Sequence, residues 1–104
     1  MSYDINLIDK NTKEPVESFN ITYNVSKMFY SCWPEKGIRN IYGMSGEDSL
    51  EHLLHLHKHL LINREEMLQY EPANRWGTWE NTVKCINKMC MAAAENPKCV
   101  WEGD

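Results

Sequence analysis

Over residues 2–8 the chain alternates: Tyr3, Ile5 and Leu7 are apolar or aromatic, and Ser2, Asp4 and Asn6 separate them. A period of two sends successive side chains to opposite faces, so this segment is predicted to be a strand with one buried face. The polar stretch "DKNTKEP" reads as a turn and "VESFNI" as a returning strand, giving an N-terminal hairpin. From Val25 the period changes. Val25, Met28, Phe29, Cys32 and Trp33 follow the i, i+3, i+4, i+7, i+8 spacing of an amphipathic helix over residues 25–33. Asn24 is its expected N-cap and Pro34 its stop. Glycines at 37, 43 and 46 then punctuate Ile38–Tyr42, an extended piece and candidate third strand.

Ser45, with Asp48 three residues on, has the spacing of a capping box and starts a second helix that runs to about Ile62. Its apolar face is predicted to gather Leu50, Leu53, Leu54, Leu60 and Leu61. "NREEMLQYEPANRWG" has no sustained period and is expected to be an ordered loop that allows one helical turn around Glu65–Tyr70 before Pro72. A third helix is predicted from Thr78, with Trp79, Val83, Ile86, Cys90 and Ala93 in one stripe and Asn81, Lys84 and Lys88 facing away. Asn96-Pro97 ends it. In the tail "KCVWEGD", Val100 or Trp101 is expected to dock on the core or extend the sheet edge. The sum is a single α+β domain over residues 1–104, a small antiparallel sheet packed against three helices.

Composition adds limits to this picture. A chain of 104 residues with 42% hydrophobic and 25% charged residues has the make-up of one ordinary globular domain rather than a disordered segment. No apolar run approaches the roughly 20 residues that cross a bilayer, and "MSYDINLIDK" lacks the basic-then-apolar order of a leader. The expectation is a cytoplasmic protein without a membrane partner. In that compartment the four cysteines are expected to be reduced, buried thiols, and the triplets at Asn20 and Asn24 are not glycosylation sites. The formal charge is −4, and the eleven basic residues form no cluster, so nucleic acid is an unfavoured partner.

All four histidines fall in "HLLHLHKHLL", residues 52–61. At about 100° per residue, His52, His55 and His59 share the side of Asp48, opposite the leucines, whereas His57 projects into the leucine face. One straight helix does not wrap three residues spread over two turns around one ion, and no His-Glu-x-x-His motif is present, so neither metal nor cofactor is predicted. His57 is expected to be a core histidine bonded to a carbonyl or carboxylate. The competing reading makes the protein a small enzyme or metal or small-ligand binder that uses histidine and cysteine side chains. "YGMSGEDS" lacks a phosphate-loop lysine and reads as a capped turn. Arg39 and Tyr42, on the extended piece, and Arg75 and Trp76, before the third helix, are the expected binding residues, because arginine and large aromatics dominate recognition surfaces. Trp79 is assigned to the core, as are most of the methionines.

"MSYDINLID", "NITYNVSKMFY" at 20–30, "GIRNIYGMSG" at 37–46 and the final "WEGD" resemble, in that order, a family of small uncharacterised phage and prophage proteins. Members can carry a longer glycine-rich insert where this chain has the short "KNTKEPVESF", and an acidic, alanine-rich helix where this one is rich in histidine. The resemblance implies an accessory protein that binds a host or phage protein without catalysis, host defence systems included.

Overall fold

The computed structural model describes residues 1–104. Strand β1, Ser2–Ile8, lies between β2, Pro15–Thr22, and β3, Val100–Gly103, both antiparallel to it. The alternation in β1 decides its faces: Tyr3, Ile5 and Leu7 are buried. Their cross-strand neighbours Ile21, Phe19 and Trp101 continue the same inner face. On the outer face Asn20 Nδ2 donates to Ser2 Oγ at 2.8 Å and Asp4 Oδ1 at 2.7 Å, and Ser18 Oγ donates to Asn6 Oδ1 at 2.7 Å. That polar ladder marks the face that meets water.

A short helix α1, Ser26–Tyr30, follows a 3-10 turn at Tyr23–Val25, and a second 3-10 turn spans Gly37–Ile41. Helix α2, Gly46–Ile62, is followed at once by α3, Arg64–Gln69, and then by α4, Trp79–Glu95. The α+β class and the hairpin are as expected, and Ser45 and Thr78 cap α2 and α4 by accepting from Asp48 N and Asn81 N.

Three expectations are corrected. Ile38–Tyr42 is not a strand: its first four residues belong to the 3-10 turn, which buries Ile38 and Ile41, and β3 is the third strand instead. Thr22, not Asn24, accepts the capping bond ahead of α1. The segment after α2 holds a helix, so there are four, because Met67 is fully buried and anchors α3.

Nineteen buried apolar residues form one core between the sheet and the helices. Helix α2 reaches it with Ser49, Leu53, Leu56 and Leu60, all fully buried, whereas Leu54 and Leu61 are 52% and 46% exposed. The start of α2 is fastened to the segment before β3. Gly46 N donates to Cys99 O at 2.8 Å, Glu47 N donates to Pro97 O at 3.0 Å, and the Trp101 indole donates to Ser49 Oγ at 2.8 Å. These carbonyls satisfy helix-end N–H groups that have no partner inside the helix. A Cβ on Gly46 would collide with Asn96 O, which is why this approach requires glycine.

Candidate functional site

The loop between α3 and α4 ends in a tightly specified turn. Arg75 has φ 61°, in the left-handed region that non-glycine residues seldom occupy, and Gly77 has φ 111°. The Trp76 N–H donates to Asn74 Oδ1 at 3.0 Å, and the Trp76 carbonyl accepts from Asn24 Nδ2 at 3.0 Å. Gly77 lies so close to the turn at Tyr23–Val25 that a Cβ on it would come within 2.7 Å of Thr22 Cγ2 and 2.8 Å of Val25 Cγ1. Both backbone polar groups of Trp76 are therefore fixed, yet its indole is 74% exposed. Leaving such a side chain in water forgoes roughly 2 kcal/mol of burial. Arg75 is exposed next to it, and a hollow of about 180 Å³ beside Gly77 is lined by Thr22, Val25, Asn81 and Cys85 among others.

Arg39 and Tyr42 occupy a different setting from the one expected of them. Arg39 lies in the 3-10 turn, half-buried, where its Nε donates to Asp104 O at 2.7 Å and its Nη2 to the Tyr23 hydroxyl at 3.3 Å. Its guanidinium carbon stands 4.9 Å from the Tyr3 ring centroid and 5.8 Å from that of Tyr23, in the range of cation–π attraction. Tyr3 and Tyr23 in turn pack edge to face, with centroids 4.5 Å apart. Arg39 thus joins the central strand β1, the first 3-10 turn and Asp104. Tyr42 is half-buried with its hydroxyl against Gly103, where that oxygen has no hydrogen-bond partner. Burial first, and then the Asp104 carboxylate, push the Tyr42 pKa up to about 12 against the lowering influence of Arg39.

One member of each expected pair, Arg39 and Trp76, bonds to adjacent positions of the first 3-10 turn. Arg39 bonds the Tyr23 side chain, and the Trp76 carbonyl is held by Asn24. Arg75 and Trp76 face solvent, while Arg39 and Tyr42 are partly taken up in holding the fold. Sequence reasoning missed the tether made by Asn24 and the ring of Tyr3 and Tyr23 around Arg39. The adjacency of Tyr23 and Asn24 just after a strand was the available signal, but a capping role explained Asn24 too easily.

The histidines divide differently from the expectation. His57 is half-buried at the edge of the apolar face and is not the bonded one. His59, expected in water, has Nε2 2.9 Å from Ser31 Oγ and Nδ1 3.3 Å from the Asn63 amide nitrogen. Because Asn63 donates to Nδ1, and Ser31 Oγ donates to Met28 O at 2.6 Å, the network orders the ring with its proton on Nε2. His52 and His55 are exposed, and no three His, Cys, Asp or Glu side chains converge where they would hold a metal. The four cysteines are free, and Cys90 alone is buried. Burial raises the pKa of Cys32 and Cys85 and takes Cys90 to about 11, the direction opposite to that of an activated thiolate. A groove of about 590 Å³ mixes Asp9, Glu47 and Asp48 with Lys10 and Lys98 and offers no single charge to a ligand. No helix is long and apolar enough to cross a membrane.

Comparison with known proteins finds no matching family model, no similar curated protein and no similar solved structure.

Proposed function

We propose that this chain acts by binding another protein, with Trp76 and Arg75 as the contact point and no catalytic step. One observation carries the reading: a 74% exposed indole displayed on a turn whose backbone is fixed on both sides. Rigid, amphipathic tryptophan loses little conformational entropy on burial, and tryptophan and arginine are enriched among interface hot spots. Left-handed backbone at a non-glycine residue is a cost that recurs at ligand-binding turns, and here it falls on Arg75. Arg39 braces the adjacent residue of the first 3-10 turn through the Tyr23 hydroxyl.

The resemblance of residues 1–9, 20–30, 37–46 and 101–104 to small phage and prophage proteins supplies the setting. The partner is then a host or phage protein in the bacterial cytoplasm, and components of host defence are the first class to test. Affinity capture from bacterial lysate, run in parallel with Trp76→Ala, is the experiment. The reading expects a specific protein retained by the parent chain and lost with the variant; equal retention by both, or measured turnover of a small molecule, overturns it.

A further inference from the structure

Helix α2 carries two apolar rows. At about 100° per residue, Ser49, Leu53, Leu56 and Leu60 lie within roughly 60° of one another, and Leu50, Leu54, His57 and Leu61 form a second row turned about 100° from the first. The first row is fully buried in the core. In the second, Leu50 and His57 are half-buried and Leu54 and Leu61 are about half-exposed, so the fold leaves it without a full partner. Its 4-3-4 spacing is that of a helix-pairing seam.

The outer flank of this row holds Glu47, Glu51 and Lys58, all exposed. Glu47 and Glu51 are four residues apart and repel, and no carboxylate lies within bonding distance of Lys58, since Lys84–Glu80 is the one ion pair of the chain. Along the flank the order is therefore acid, acid, base, with no internal compensation.

From these features we infer that the second row is a self-association surface on which two copies of the chain pair their α2 helices antiparallel about a twofold axis. The 4-3-4 spacing reads the same from either end, as a twofold requires. With the axis passing between residues 55 and 56, Leu50 meets Leu61 of the second copy and Leu54 meets its His57. In an antiparallel pair each flank faces the same flank of the other helix, so Glu51 stands across from Lys58 twice over. A parallel pair would instead carry the acidic ends of both helices side by side. The inference depends on nothing proposed for the Trp76 turn.

Sedimentation velocity over a wide concentration series tests this inference. The parent chain is expected to pass reversibly from monomer to dimer, and Leu54→Lys to stay monomeric with an unchanged circular dichroism spectrum. Glu51→Lys and Lys58→Glu each set like charges across the axis at two places and should weaken association about tenfold. An equimolar mixture of these two variants restores both opposite-charge pairs and should dimerise as well as the parent. A parent that is monomeric throughout, or a dimer that survives Leu54→Lys, overturns the surface. A mixture no better than its components overturns the antiparallel arrangement.

Discussion

Removal of one hydroxyl, in Ser49→Ala, tests how the end of the chain is locked to α2. Ser49 and Trp101 are both fully buried, and the indole N–H donates to Ser49 Oγ at 2.8 Å while that hydroxyl donates to Gly46 O at 3.0 Å. The substitution leaves a buried indole N–H with no acceptor, which costs about 1–3 kcal/mol. The higher helix propensity of alanine offsets about 0.5 kcal/mol of that. A net loss of about 1–2 kcal/mol is a large part of the roughly 5–15 kcal/mol that holds a domain folded, and corresponds to a fall in Tm on the order of 5–15 °C. Urea unfolding followed by far-ultraviolet circular dichroism measures it, with Trp101→Phe and the double variant completing a cycle. Once the indole N–H is gone, Ser49→Ala should cost about 1 kcal/mol less than in the parent chain. A Ser49→Ala variant as stable as the parent, or strictly additive losses, would show that the bond from the indole to Ser49 does not hold the two elements together.

Other expectations follow from the same geometry. Leu56→Ala, at a fully buried position, should cost about 2–5 kcal/mol, whereas Leu54→Ala, measured in dilute solution, should stay within about 0.5 kcal/mol of the parent; comparable losses in urea titrations would contradict the assigned faces of α2. Tyr42→Phe removes a buried hydroxyl that has no partner and should leave stability unchanged or raise it by about 1 kcal/mol, a result checked by thermal unfolding. The raised Tyr42 pKa also sets a sign: between pH 10 and about 12 the unfolded state loses the phenol proton while the folded state keeps it, so stability falls as pH rises through that window. Unfolding titrations across it should show a shallower decline for Tyr42→Phe, with Tyr70 and the thiols, whose pKa values are also raised, contributing to the remainder. Gly77→Ala, forced into a left-handed backbone against Thr22 and Val25, should lose about 1–3 kcal/mol and lower Tm.

Where periodicity was strong the fold could be read directly. Tyr3, Ile5 and Leu7 define β1, and Thr78 with the stripe through Ile86, Cys90 and Ala93 defines α4, because local patterning and tertiary burial agree there. Helix α2 was legible as an element but not in its orientation. Its leucines occupy two adjoining rows, so a single apolar face centred between them placed His57 inside and overlooked Leu56. Ile38–Tyr42 has the composition of a strand, but the close succession of glycines and the burial of both isoleucines favour a 3-10 turn. With Trp79 assigned to the core, Trp76 is left as the surface aromatic of the pair. Its rigid mounting was not legible, because the bond from Asn24 spans fifty-two positions in sequence. The same holds for Arg39, whose partners Tyr3, Tyr23 and Asp104 come from distant parts of the chain.

If recognition is concentrated at the Trp76 turn, the affinity of Trp76→Ala for the captured partner, by calorimetric titration beside the parent chain, shows it. A central tryptophan hot spot contributes about 2 kcal/mol or more, so Kd should rise at least about thirtyfold while Tm stays where it was. A Kd within about threefold of the parent value, which is less than about 0.7 kcal/mol, would place the binding surface elsewhere on the molecule.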